Sequence, residues 1–303
     1  MEAEIIEQIL AHMSAEGITP KEEISFVFDG RIHRFSTADD RHGKKSGAYY
    51  AYSDGLPNWG FMDYHKHSEM IKGKLDTEHL SWGARETIKA NSNNYPKHSK
   101  NDNNAEEERA RARAFDEYTR GKSERACLHP YIMHKHLGNI PRTVRVARGV
   151  RPGDICKEGD LLIPLVSAIT RKFQTLERIS MRTMADGRHM KGLYKGTHRK
   201  NACFEFPIPQ QPAQVIICEG FATGASIYQF AKSPAIVLCA TCWSNIINVA
   251  RIWRKRTKLP IIIAADNDKP GIKGATDAVN AGYADNLYYP PIVGYDWNDY
   301  ITR

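Results

Sequence analysis

The sequence has no long hydrophobic run. Its main apolar stretches, Val215–Cys218, Ala235–Ala240 and Ile261–Ala265, are only four to six residues long. A membrane-spanning helix needs about 20 apolar residues, so the sequence predicts neither a span nor a secretory signal. Cysteine is also scarce, at six in 303 residues, which is too few for a disulfide scaffold and is typical of a reducing compartment. We therefore expect a cytoplasmic protein with no membrane partner.

Charge is moderately biased towards one sign. The chain has 43 Lys and Arg against 35 Asp and Glu, a formal net charge of +8. This excess falls short of that of a histone-like protein, but it is compatible with a polyanionic partner. Charge alone makes nucleic acid a plausible ligand and shows nothing more.

The N-terminal part of the chain predicts a small β-rich module. Apolar residues at helical spacing within residues 1–20 indicate an amphipathic helix. Two hairpins are predicted after it, the first from Ser25–Phe28 and Arg31–Phe35, the second from Tyr49–Tyr52 and Trp59–Met62. We assign residues 1–90 to an N-terminal accessory module.

A polar segment follows this module. Between Asn91 and Asn104 six of fourteen residues are Asn and none is aliphatic, so this stretch is predicted to be a linker. Ala105–Arg120 has the pattern of a charged helix, which we interpret as a solvated connector. Residues 91–124 are therefore predicted to separate two domains.

The remainder of the chain has the clearest pattern. Residues 125–210 predict an α+β subdomain with antiparallel strands. From residue 211 to 303, short β-branched runs alternate with helical segments, which indicates a parallel sheet of about four strands with helices on both faces. The predicted fold class is α/β, with the parallel sheet in the last domain.

Acidic residues follow three of the predicted strands. Glu219 comes after the first, Asp266 and Asp268 after the third, and Asp296 and Asp299 after the last. The carboxyl ends of parallel strands form the site in such sheets, and clustered carboxylates repel unless a cation neutralises them. Oxygen ligands favour Mg²⁺ or Mn²⁺. Any one of these aspartates could instead cap a helix, but acids at three strand ends favour a metal site.

These motifs resemble a known domain. Glu219–Ser226, Ala265–Asp268 and Asp296–Asp299 are similar to the Toprim domain of primases encoded by phages and plasmids, in which the first motif is Glu-Gly-Tyr-Ala-Thr-Ala. Phe221 and Gly224 depart mildly from it. Further stretches resemble the basic subdomain of DnaG-type primases and the N-terminal part of the mobile-element proteins. They are Gly159–Leu165, Leu176–Ile179 and Lys191–Gly192 for the subdomain, and Asp29–Phe35 and Gly60–Asp63 for the N-terminal part.

The resemblance implies roles for individual residues. Glu219, Asp266 and Asp268 would be the catalytic metal ligands, and Glu219 could also act as the general base toward a ribose 3′-hydroxyl. Asp296 and Asp299 would be accessory metal ligands. Nucleotidyl transfer needs little covalent chemistry from the protein, because bound metal ions activate the attacking oxygen and stabilise the leaving pyrophosphate.

A basic stretch precedes the acidic motifs. Residues 171–200 contain nine Lys and Arg against two acids, a surface on which phosphates would concentrate. The predicted nucleotide- and DNA-binding residues are Arg178, Arg182, Lys191, Lys195, Arg199 and Lys200. Arg178 and Lys191 are the strongest candidates because they lie in matched motifs, although any one of the six could simply face solvent.

Together these features predict a DNA primase for mobile-element replication, dependent on Mg²⁺ or Mn²⁺. Its partners would be a single-stranded DNA template, nucleoside triphosphates and a separate replicative helicase, since the sequence encodes no nucleotide-hydrolysing motor. Two alternatives stay open. A Toprim nuclease would use the same carboxylates to direct water at a phosphodiester, and a non-catalytic DNA-binding replication factor would retain the fold as a scaffold.

Overall fold

The structure, a computed structural model, describes residues 2–53, 57–67, 69–76, 100–185 and 187–302, without the side chains of 100–104. The chain divides into two compact units, Met1–Lys100 and Asn101–Arg303. Most of the predicted Asn-rich linker, residues 91–99, lies outside the described residues. None of the described helices is long and apolar enough to cross a membrane.

The described part of the first unit contains one helix and an antiparallel sheet. Helix α1 (Glu2–Ala15) buries Ile5, Ile9 and Met13 on one face, as its four-residue apolar spacing requires. The strands are β1 (His33–Phe35), β2 (Gly47–Tyr52), β3 (Asn58–Asp63) and β4 (Ile71–Lys74), paired in that order. The predicted β-rich module and its second hairpin, β2 with β3, are confirmed.

The first predicted hairpin is wrong. Residues 25–28 form no strand, and β1 pairs instead with β2, Phe35 opposite Gly47. The hydroxyl of Tyr49 accepts a hydrogen bond from Val27 N (3.0 Å) and donates one to Ser25 O (3.2 Å). A side chain from β2 thus satisfies the backbone groups that a hairpin partner would have paired.

Helix α2 (Lys100–Arg120) opens the second unit and differs from its prediction in two ways. It begins five residues earlier than expected, so residues 100–104 are helical and not linker. It is also more than a solvated connector, because Ala110, Ala114 and Tyr118 are buried along one face. Once that face packs, extending the helix adds a hydrogen bond for each residue fixed, which favours the longer helix.

A nine-stranded sheet runs through the described part of the second unit, in the order β13-β12-β10-β11-β9-β6-β7-β8, with β5 paired to β6. The strands are β5 (Arg145–Val146), β6 (Leu161–Ser167), β7 (Phe173–Thr183), β8 (His189–Leu193), β9 (Ala202–Glu205), β10 (Gln214–Cys218), β11 (Ala235–Cys239), β12 (Ile261–Ala264) and β13 (Asn286–Tyr288). Strands β10 to β13 are mutually parallel, and the others are antiparallel. Both predicted sheet types are confirmed, and β9 joins them into one.

Helices cover both faces of the parallel part. They are α3 (Pro130–His134), α4 (Phe221–Phe230), α5 (Trp243–Arg254), α6 (Lys269–Asn280) and α7 (Trp297–Ile301). Helices α3 and α4 pack on one face in a core that continues under the antiparallel strands. Helices α5 and α6 pack on the other face, against β10, β11 and β12. Because β10 to β13 are parallel, their carboxyl ends lie at the same edge of the sheet, where the chain turns into loops or helices.

Candidate active site

Two acidic side chains lie just beyond the carboxyl ends of neighbouring parallel strands. Strands β10 and β12 run side by side, with Cys218 opposite Ala264. Glu219 follows β10 directly, and Asp266 follows β12 after one residue. The parallel register thus brings the two carboxylates to one edge of the sheet, as the sequence predicts.

Nearby positive charge does not fully compensate these two carboxylates. Burial and the nearby charge of Asp268 raise the pKa of Glu219 to about 7. Burial, followed by the charges of Glu219 and Asp296, raises the pKa of Asp266 to about 8. The Oδ1 atom of Asp266 is also buried with no hydrogen-bond partner. A cation bound here would relieve both the repulsion and the unpaired oxygen.

Two of the other predicted ligands cap helices. Asp268 is exposed and accepts a hydrogen bond at Oδ1 from Gly271 N (2.7 Å) at the start of α6. Asp296 accepts one at Oδ1 from Asp299 N (2.8 Å) at the start of α7. The capping role considered from the sequence is therefore real for both residues. Because each cap uses one oxygen, it fixes the carboxylate in place without consuming both of its oxygens.

Lys135 is a site residue that the sequence does not reveal. Its Nζ lies 2.9 Å from Oδ1 of Asp299 and 3.7 Å from Oδ2 of Asp296. Burial acts to lower the pKa of Lys135, but the two aspartates outweigh it and hold the pKa above its usual value. More than 160 residues separate this lysine from its partners, so no local motif could indicate the contact. Its ion pairs therefore partly neutralise the accessory acids rather than Glu219 and Asp266.

Two of the predicted basic residues act on this pair. The positive charges of Lys191 and Arg199 each lower the pKa of Glu219. Lys191 Nζ donates to the hydroxyl of Tyr131 (3.1 Å) and lies 4.9 Å from the centre of its ring. Arg199 Nη1 donates to Thr241 O (2.8 Å), just beyond the end of β11. Both side chains are thus held near the carboxyl ends of the parallel strands, where Glu219 and Asp266 lie.

The other predicted basic residues lie elsewhere. Arg178 forms an ion pair with the buried Asp160 (3.2 Å), and strand alternation places it on the face of β7 opposite Glu177. Arg182 is exposed near the end of β7, and Lys195 and Lys200 are exposed between β8 and β9. The structure therefore brings Lys191 and Arg199 to the carboxylates and directs Arg178 away from them. A nucleic-acid contact by Arg178, Arg182, Lys195 or Lys200 stays a prediction.

The donor set fits a hard divalent cation without forming a complete cage. In the part of the chain that the structure describes, no group of three or more His, Cys, Asp or Glu side chains is arranged to hold a metal. Mg²⁺ is usually bound by one or two carboxylates together with water and substrate phosphates. Glu219 and Asp266, with the unpaired Oδ1 of Asp266, meet that lower requirement.

Comparison with known proteins identifies the C-terminal domain. Residues 214–303 match the family model of the Toprim domain, so the sheet edge that carries Glu219 and Asp266 belongs to a Toprim domain. The match covers less than a third of the chain. No curated protein matches the sequence.

Several solved structures are similar in fold. The Aquifex aeolicus primase, comprising zinc-binding and RNA polymerase domains, is 14% identical with a TM-score of 0.42, over 99% of this chain and 82% of that one. A DnaG primase catalytic domain bound to single-stranded DNA is 10% identical with a TM-score of 0.44, over 66% and 78%. The E. coli primase catalytic core is 12% identical with a TM-score of 0.37, over 64% and 69%. Values this low do not by themselves assign a function.

Proposed function

We propose that this protein is a DNA primase, a metal-dependent nucleotidyltransferase that makes short primers on a single-stranded DNA template. The observation that carries the proposal is the pair Glu219 and Asp266. Their pKa values of about 7 and 8 indicate two neighbouring carboxylates whose joint ionisation is unfavourable without a bound cation. A Toprim domain holds them, with Lys191 and Arg199 on the same side.

Each residue then has a distinct role. Glu219 and Asp266, supported by Asp268, would hold Mg²⁺ or Mn²⁺, with Asp296 and Asp299 behind them as accessory acids. The bound metal would activate the attacking hydroxyl and stabilise the leaving pyrophosphate. As the family resemblance implies, Glu219 could also take the proton from the ribose 3′-hydroxyl as a general base. Lys191 and Arg199 would bind phosphates of the incoming nucleotide or the template.

The finer parts of the proposal rest on the sequence motifs. The likeness of Glu219–Ser226 and Asp29–Phe35 to proteins of phages and plasmids supports a role in replicating a mobile element. Nucleoside triphosphates as substrates and a separate replicative helicase as partner belong to the same proposal. So does the assignment of residues 1–90 to an accessory module, 91–124 to a connection, 125–210 to a basic subdomain and 211–303 to the catalytic domain.

One assay separates the three functions that the sequence allows. The full chain is incubated with single-stranded DNA, labelled nucleoside triphosphates and Mg²⁺ or Mn²⁺, and the products are resolved by size. Short labelled oligonucleotides support the primase, shortened DNA supports the nuclease, and neither product, with DNA still bound, supports the non-catalytic factor. Glu219→Gln and Asp266→Asn should each abolish product formation. Asp277→Asn is the matched control, because Asp277 pairs with Lys273 on α6 (2.7 Å); an equal decrease in that variant would contradict the assigned site.

A further inference from the structure

Three asparagine side chains are buried close to the candidate active site, and the proposed chemistry uses none of them. Asn245, Asn267 and Asn298 are 3%, 7% and 1% exposed, respectively. Each donates through its side-chain nitrogen to an oxygen of another segment. A buried amide that loses its partner costs free energy, so each of these hydrogen bonds fixes two segments relative to one another.

Asn267 lies between the proposed ligands Asp266 and Asp268. Its Nδ2 donates to Pro290 O (2.8 Å), its backbone N donates to Tyr295 O (2.9 Å), and its carbonyl accepts from Gly294 N (2.7 Å). One residue thus ties the turn that carries two carboxylates to both ends of the loop 290–295. That loop leads directly into Asp296.

Asn298, on helix α7, ties that helix to two other segments. Its Nδ2 donates to Lys135 O (2.8 Å) and to Ser226 Oγ (2.9 Å). Ser226 is fully buried on α4, the helix that begins directly after the Glu219–Gly220 turn. The helix that carries Asp296 and Asp299 is therefore fastened both to the backbone of Lys135 and to the helix behind Glu219.

Asn245 differs from these two in what it connects. Its Nδ2 lies within hydrogen-bond distance of Arg199 O (3.0 Å), Ala202 O (2.8 Å) and Ala240 O (2.9 Å). These oxygens belong to the turn before β9, to the first residue of β9 and to the residue after β11. That turn carries Arg199, but none of the three segments carries a carboxylate proposed to bind metal. Asn245 is thus a matched buried amide in the same domain.

We propose that Asn267 and Asn298 are positioning residues that hold the proposed metal-binding carboxylates in one arrangement. The link runs from Asp266 and Asp268 through Asn267 to the loop before Asp296, and from there through Asn298 to the helix after Glu219. The inference rests on the proposed function only in taking these carboxylates as metal ligands. Neither asparagine touches the metal or substrate in this account; each acts through the backbone that it fixes.

The test measures metal affinity and stability separately. Mn²⁺ is titrated calorimetrically into the full-length protein without DNA or nucleotide, and thermal unfolding is followed in metal-free buffer. Asn267→Ala and Asn298→Ala should each weaken Mn²⁺ binding about 10- to 100-fold, the usual effect of removing a group that orients a metal ligand. Asn245→Ala should lower the melting temperature similarly while Mn²⁺ affinity changes less than about threefold. If Asn298→Ala does not fold, Ser226→Ala removes only the hydroxyl that accepts from Asn298 and should weaken binding several-fold.

The outcomes distinguish this inference from the function on which it rests. A lower melting temperature with unchanged Mn²⁺ affinity in the Asn267 and Asn298 variants overturns the positioning role and leaves the proposed metal site intact. Equal weakening in Asn245→Ala also overturns it, because general destabilisation would then explain the effect. If the unmodified protein binds no Mn²⁺, or Glu219→Gln binds it as tightly as the unmodified protein, the proposed metal site and the positioning role fail together.

Discussion

Glu219→Gln, which should abolish activity, should also stabilise the metal-free protein. Burial and the charge of Asp268 raise the pKa of Glu219 from 4.5 to about 7. A pKa unit corresponds to about 1.4 kcal/mol, so the ionised side chain disfavours the folded state by roughly 3 kcal/mol at most. Partial exposure of Glu219 and residual structure in the unfolded chain reduce this, and we expect about 1–3 kcal/mol. Among the described residues none donates a hydrogen bond to this carboxylate, so Gln loses little in its place.

The sign of the effect depends on pH. Below about pH 4 the carboxyl group is protonated in both states and contributes nothing. As the pH rises towards 7, the unfolded chain releases the proton first, so the free energy of unfolding of the unmodified protein falls. Glu219→Gln does not titrate and avoids this decrease. The two proteins should therefore be about equally stable at pH 4, with the variant more stable by about 1–3 kcal/mol at pH 8.

Urea denaturation in the presence of a chelator measures this difference. Excess Mg²⁺ should narrow or reverse it, because the metal binds the folded unmodified protein more tightly than the variant. Glu124→Gln replaces an exposed acid of the same unit and should change stability by less than about 0.5 kcal/mol. A Glu219→Gln protein that is less stable at pH 8 without metal, or a difference that does not vary with pH, would refute the electrostatic account of the site.

Three further predictions concern other parts of the chain. Lys191→Met should lower the magnitude of the slope of log K against log salt for single-stranded DNA by about 0.7 for each phosphate that the variant no longer binds; an unchanged slope would place the phosphates elsewhere. Arg178→Met should instead lower the free energy of unfolding, measured by urea denaturation, by about 1–3 kcal/mol, because it leaves the buried Asp160 without its cation. Gly224→Ala should lower the free energy of unfolding by about 1–3 kcal/mol, because its new methyl group would overlap the Cys239 Sγ. The decrease should be smaller in a Cys239→Ala background. Unchanged stability of Gly224→Ala in urea denaturation would contradict this packing argument. A fragment of residues 101–303 should unfold cooperatively by circular dichroism, since its core is complete within that unit; a fragment without a cooperative transition would show that the boundary is wrong.

The sequence predicts the sheet edge that carries Glu219 and Asp266 well because its determinants are local. Buried parallel strands are short β-branched runs, and the residue after each run lies at the carboxyl end of the sheet. Strand β10, predicted at Val215–Cys218, is observed at Gln214–Cys218, so Glu219 falls at the edge by chain connectivity alone. Packing explains why Gly224 departs from the alanine of the similar motif: the thiol of Cys239 occupies the space that the methyl group of an alanine would need.

Contacts between distant segments could not be predicted in this way. Lys135 reaches Asp299 across the fold, and Asn298 reaches Ser226, and neither pair shares a local pattern. The first hairpin fails for a related reason. Phe26 and Phe28 alternate as in a strand, but the hydroxyl of Tyr49 satisfies the backbone of that segment. A period of two cannot distinguish such a segment from a paired strand.

The pairing of β9 with β11 has a practical consequence for producing parts of this protein. β9 hydrogen bonds to β11 on one side and to β6 on the other, so the parallel strands continue into the antiparallel ones without a break. A fragment of residues 211–303 alone would leave β11 with a row of bare backbone donors and acceptors beside the apolar side chains of Ile236 and Leu238. Such an exposed edge recruits strands from other molecules. Expression of the Toprim domain in isolation would therefore favour aggregates, and the shortest soluble piece should retain β6 to β9.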